Sequence, residues 1–198
     1  MKKVISFFLT CLICLSIVMP NNTFAATKSN IVNENMDIDE IIHIAGLYNI
    51  KVTANRVSNK KKFVNCINET YNDTYSVIST SFIEDKNPFA LDSQIREVKK
   101  TAVYTGTKDG DGANFKYSLD VEGYVSVYSD AYGVKKITEV TPNSINSRPS
   151  NGLGNYQQYD SWSVVASNGA YAILSGEGRL QTSSIRYRIL EFSVKVYP

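Results

Sequence analysis

The sequence predicts a mainly β protein: an antiparallel β-sandwich or a partly closed barrel-like sheet in the C-terminal half, with one N-terminal α-helix. Three observations lead there. From Thr101 onward, apolar and polar residues alternate with a period of two in run after run. Asn168-Gly169 separates two such runs, as a hairpin turn would. Only "MDIDEIIHIAGLYNI" carries well-formed helical spacing.

Reading from the start, "MKK" supplies positive charge, Val4 to Met19 is nearly all apolar, and small residues stand at Thr23 and Ala25. This is the pattern of a secretory signal peptide, residues 1–25, cut after Ala25. The apolar run falls short of the about 20 residues that span a bilayer, so the mature chain is expected to be secreted or at the cell surface and not membrane-embedded. Cys11 and Cys14 leave with the signal, and neither follows the pattern a lipid-modified cysteine requires. Cys66 then stands alone, so no internal disulfide forms. Of 21 basic residues, Lys2 and Lys3 are also lost, leaving 19 against 19 acidic ones. A neutral chain has no electrostatic footprint for nucleic acid or an anionic membrane, and Lys60-Lys61-Lys62 reads as a solvated turn. The mature length suits an N-terminal region, 26–100, before a β domain, 101–198, or one continuous domain over 26–198.

The helix is expected near 37–48, with Asp37 as N-cap, Glu40 three residues on, and Ile38, Ile41, Ile42 and Ala45 on one face. "FVNCIN" and "TYSVISTSFI" are rich in β-branched and aromatic residues and predict strands. In "NPFALDSQIREV", Asn87, Pro88 and the Leu91, Ile95, Val98 face predict a short helix, though the chain from Ile95 fits an extended form as well. "TAVYTGT" and "NFKYSLDVEGYVSVYSD" predict a strand pair, with Gly123 marking a bend or bulge. "KKITEVT" predicts a short strand. Asn168-Gly169 predicts a type I′ hairpin, and Gly176-Glu177-Gly178 a bulge in its second arm. In "SSIRYRILEFSVKVYP" the apolar phase changes at Ile189-Leu190, which predicts a bulge or a crossing between sheets. "TPNSINSRPSNGLGNY" reads as a long loop.

Little of this resembles catalytic chemistry. "KDGDG" places Asp109 and Asp111 at the first and third positions of a calcium loop, but Ala113, Asn114 and Asp120 stand where a further ligand, glycine and bidentate glutamate belong. Its flanks alternate as strands, so a hairpin loop is the expectation and a surface calcium site on Asp109 and Asp111 the alternative. His43 and Cys66 are the lone histidine and the lone cysteine of the mature chain, on a helix and in a strand-like run, which argues against a nucleophilic dyad. One histidine and one cysteine likewise argue against a zinc site, and no metal or cofactor is expected. Asp120, Glu122, Asp130, Asp160, Glu177 and Glu191 lie along the β half, where two of them brought together would suit glycoside hydrolysis. "NET" and "NDT", at Asn68 and Asn72, match glycosylation acceptors.

The aromatic residues point further. In "GNYQQYDSW", Tyr156, Tyr159 and Trp162 stand among amide and carboxylate side chains, the mixture on which sugars or protein partners stack. The expected function is therefore a secreted, non-catalytic binding or interaction protein that recognises a glycan or an extracellular protein through these three residues. The alternatives are a secreted carboxylate-dependent hydrolase and a small secreted toxin or envelope structural protein.

Overall fold

The computed structural model describes residues 28–78, 93–106, 115–130, 132–150, 155–181 and 187–198. Among them lie α1 (Ile38–Leu47), β1 (Lys51–Arg56), α2 (Lys60–Ile78), β2 (Ser93–Gly106), β3 (Phe115–Ser129), β4 (Lys135–Val140), β5 (Asn146–Pro149), β6 (Asn155–Val165), β7 (Ala172–Gln181) and β8 (Tyr187–Val196). All strand pairs are antiparallel, in a first sheet ordered β1-β6-β7-β8 and a second ordered β2-β3-β4, with β5 also on β3. Neither sheet closes into a barrel. The chain is mainly β as expected, and the described residues hold two helices, α1 where the sequence predicts one and α2 where it predicts strands.

The sheets stack through one core, in which Leu119, Val121, Val125 and Val127 of β3 meet Val165, Ala172, Leu174, Leu190 and Phe192 of the first sheet. The helices cover the other face of that first sheet. There Ile41 and Ala45 of α1 and Phe63, Val64 and Ile67 of α2 pack with Trp162 and Val164 of β6. Three layers result, and the first sheet is the middle one.

α1 forms as its sequence predicts. Asp37 accepts the Glu40 amide at 2.8 Å, and the far end closes where Ile50 N bonds Ala45 O and Asn49 N bonds Gly46 O, with Asn49 at φ 58. That is a Schellman cap with asparagine in the left-handed position. The chain then enters β1 and pairs with β6, Lys51 opposite Val165, which brings β1 into the middle layer.

α2 overturns the strands expected in "FVNCIN" and at the start of "TYSVISTSFI"; residues 79–83 lie outside those described. Asn59 caps this helix by accepting the Lys62 amide at 3.0 Å, and Phe63, Ile67, Thr70 and Thr74 recur at helical spacing on a buried face. Helical burial outweighs the modest β preference of its valine, isoleucine and threonine. Where it is described, the stretch over 87–98 is not the expected helix but extended, β2 from Ser93, the alternative that the sequence allows from Ile95. The β2–β3 ladder closes to Gly106 opposite Phe115, as the hairpin reading of "KDGDG" requires; Asp109 and Asp111 lie outside the described residues. The ladder passes Gly123 without a register shift. Gly123 instead makes room for Leu174, whose Cδ1 would sit 3.0 Å from an added Cβ. The long loop contains β5, which pairs with β3 from Leu119 to Glu122.

The β6–β7 hairpin is present, but its turn is wider than type I′. Gly169 N bonds Ala166 O at 2.8 Å and Ala166 N bonds Tyr171 O at 3.1 Å, and positive φ falls on Gly169 without Asn168. No bulge interrupts β8 at Ile189-Leu190, since β7 and β8 pair without a shift from Ala172–Val196 to Gln181–Tyr187. Leu190, Phe192 and Val196 simply face the core while Tyr187 and Ile189 face outward. The bulge expected at Gly176 to Gly178 lies on the opposing strand, where the register slips between Gln158 and Asp160 and leaves Tyr159 as the extra residue.

Candidate ligand-binding face

That bulge decides which way β6 presents its side chains. A period of two is reset by one extra residue, so positions before and after Tyr159 change faces. Tyr156 therefore points into the sheet stack, where its hydroxyl meets Ser147 Oγ at 2.8 Å and its ring lies over Gly178. Trp162 points to the helices and is 2% exposed, edge-on to Phe63 with ring centroids 5.1 Å apart. Tyr159, between them, is half-buried on the helix side and donates to Glu177 Oε2 at 2.8 Å. The three aromatic residues do not share a surface; Tyr159 alone stays beside polar groups at the edge of the outer face.

The outer face of the middle sheet runs as successive rungs. Ala54, Trp162, Ser175 and Ser193 form one, with Ser175 Oγ bonded to Ser193 Oγ at 2.9 Å. The next places Asp160, Glu177 and Glu191 abreast on β6, β7 and β8. Beyond it stand Gln157, Arg179 and Ile189, then Asn155, Gln181 and Tyr187. α2 covers the Trp162 end of the first rung, and its first turn stands over the second.

Of the six scattered acids, three thus converge. Asp120 is held by Ser150 at 2.7 Å, Glu122 by Arg148 at 2.9 Å, and Asp130 accepts the Tyr132 and Val134 amides of its own turn. The converged row lies at the start of α2, whose positive end and Lys62 compensate it. Ser58 N bonds Asp160 Oδ2 at 2.8 Å, and Asn59 Nδ2 and Lys62 Nζ reach the two oxygens of Glu191 at 3.2 and 3.1 Å. Burial, followed by the charges of Asp160 and Glu191, raises the Glu177 pKa against the Tyr159 bond that lowers it. Burial also pushes Glu191 upward, but Lys62, with Asn59 and Glu177 behind it, leaves that carboxyl below its ordinary value.

Beside the row a cleft of about 450 Å³ opens between α2 and β8, edged by Asn59, Lys62, Asn65, Glu69, Glu191 and Ser193, with Trp162 and Cys66 among its lining. On its other side the sheet is uncovered: Tyr187 is 54% and Ile189 55% exposed, and the Arg179 guanidinium lies 3.8 Å over the Tyr187 ring. These outward side chains are the ones whose phase change reads as a bulge in the sequence. A reversal of phase that exposes apolar groups is the signal for them.

His43 is exposed on α1 and Cys66 is buried on α2. Burial, reinforced by Glu69, pushes the Cys66 thiol up to about 12. Asn68 and Asn72 hold the N-terminal arm. Asn68 accepts the Ile31 and Val32 amides and donates to Val32 O, while Asn72 accepts from and donates to the backbone of Ser29. The amide nitrogens that would carry sugars are engaged. Among the described residues, no group of three or more His, Cys, Asp or Glu side chains is arranged to hold a metal ion, and no helix is long and apolar enough to cross a membrane. No protein-family model, curated protein or solved structure matches this chain.

Proposed function

We propose that the protein is a secreted, non-catalytic module that binds a glycan on the outer face of its middle sheet. The observation that carries this reading is the uncovered end of the face, where exposed Tyr187 and Ile189 stand beside Gln157 and Arg179 and lead to the amide-edged cleft. A flat ring supplies a stacking surface, and amides, carboxylates and a guanidinium supply paired donors and acceptors for sugar hydroxyls. Tyr159 remains at the edge of this face, and Tyr187 takes the place that Tyr156 and Trp162 cannot fill.

The test is a glycan screen of the mature chain, residues 26–198, with Tyr187→Ala as the control. Loss of about tenfold or more in affinity in the variant is expected for an aromatic anchor. Binding that survives the change unaltered, or no bound glycan, removes the reading, and a bound extracellular protein in its place identifies the other ligand class.

One observation favours hydrolysis as a second reading: Glu177 and Glu191 are neighbours with oppositely shifted acidities. Against it, Glu177 is only 8% exposed and Glu191 is engaged by Lys62. Hydrolysis requires new reducing ends from a bound glycan, and their disappearance in Glu191→Gln.

A further inference from the structure

The acid row does more than line the face. Each hydrogen bond given above between the start of α2 and the sheet ends on one of its two outer members, Asp160 or Glu191. The middle member, Glu177, stands between them in the cross-strand register and accepts from Tyr159, and three carboxyl groups abreast are unfavourable unless one of them holds a proton. Asp160 Oδ1 is buried without a hydrogen-bond partner, so the row lacks a donor on its other side as well. The groups facing Glu177 are Asp160 and Tyr159 from β6, Glu191 from β8 and Lys62 from α2. Lys62 is the one cation in that set.

We propose that Glu177 is a proton-operated clasp that regulates the ligand face. With its proton in place the row carries two negative charges, matched by Lys62 and the positive end of α2, and the first turn of the helix is held on the sheet. When the proton leaves at higher pH the row carries three charges abreast. Cross-strand neighbours stand about 5 Å apart, where like charges repel, so the tethers of Ser58, Asn59 and Lys62 slacken and the cleft beside them widens. As regulation of binding, this rests on the glycan reading above; as a property of the helix and sheet, it does not.

Trp162 reports on the clasp, being the single tryptophan of the chain and edge-on to Phe63 in the first turn of α2. The experiment is a reversible pH titration of its fluorescence in the mature chain, with amide exchange at Ser58 and Lys62, in the wild type and in Glu177→Gln. The variant keeps the acceptor for Tyr159 and removes the titration. The wild type is expected to show an emission change, with faster exchange at both amides, as pH rises through a midpoint above the ordinary glutamate value of 4.5; Glu177→Gln is expected to show neither. Glycan affinity is expected to change about threefold or more across the same interval in the wild type alone. No wild-type transition, or the same transition in the variant, overturns the clasp. A transition without change in affinity overturns its regulatory role and leaves the binding reading standing, whereas a transition with no glycan bound at any pH overturns the binding reading and leaves the clasp.

Discussion

Trp162 of β6 meets Phe63 of α2 edge to face, the two ring planes at 76°. Both are nearly fully buried, and together they join the helical layer to the middle sheet. Phe63→Ala is therefore expected to destabilise the fold by about 3–5 kcal/mol, as large-to-small core changes do. Denaturant unfolding measures it, and the tryptophan emission of the folded variant should move toward that of solvent-exposed indole.

Gly178 has no side chain because the Tyr156 ring occupies the place a Cβ would take. Gly178→Ala should cost about 1–3 kcal/mol through overpacking. In a double-mutant cycle with Tyr156→Ala, the combined loss should be smaller than the sum of the single losses, since the second change removes the clash.

The two glutamates of the acid row should move stability in opposite directions with pH. Glu177 has its pKa raised on folding, so its contribution is full below the ordinary value of 4.5 and is lost as pH rises through the folded value. Glu191 has its pKa lowered, so its contribution is present above 4.5 and is lost as pH falls through the folded value. Glu177→Gln should stabilise the protein at neutral pH and flatten the alkaline side of the profile, and Glu191→Gln should flatten the acid side. Thermal melts across pH on both variants check the signs.

Cys66 should be unreactive in the native state. With its thiol pushed up to about 12, almost none is thiolate at mildly alkaline pH, and the thiolate is the nucleophile. Labelling with a thiol reagent should follow unfolding and accelerate in denaturant. From the ordinary value of 9.0 upward the neutral buried thiol stops favouring the fold, a loss that Cys66→Ala should remove.

The arm at Ser29 to Val32 is fastened by two asparagines that read only backbone atoms. Asn68→Ala leaves the buried Val32 amide and carbonyl without these partners, at a cost of about 1–3 kcal/mol. Exchange protection at Ile31 and Val32 should fall well before that of the sheet. In a glycosylating host, Asn68 of folded protein should carry no sugar.

Much of the architecture was legible where a local pattern agrees with its tertiary setting. Asp37 and Glu40 announce α1, and the alternating C-terminal runs announce the sheets, because there the buried face coincides with the propensity. α2 was not legible in that way: Phe63, Val64 and Ile67 suit a strand as well as a helix, and only the sheet beneath them decides. The acid row was half legible, since its residues were candidates but their meeting depends on cross-strand register. Proximity in sequence puts Tyr156 and Trp162 on one surface, which the single extra residue at Tyr159 undoes. Tyr187 and Ile189 were hidden because an outward apolar pair breaks the expected alternation.

The pairing of β1 with β6 joins residue 51 to residue 165, and this sets a timetable for the growing polypeptide. The two helices emerge from the ribosome long before β6, the strand against which both pack, and closing so large a loop precedes any reward from the contacts it brings. A nascent chain that stops short of residue 155 has its helical layer over β1 alone, without β6, β7 and β8. The middle sheet is therefore completed only when the C-terminal strands are present, and a chain truncated before residue 155 is expected to lack a stable helical layer.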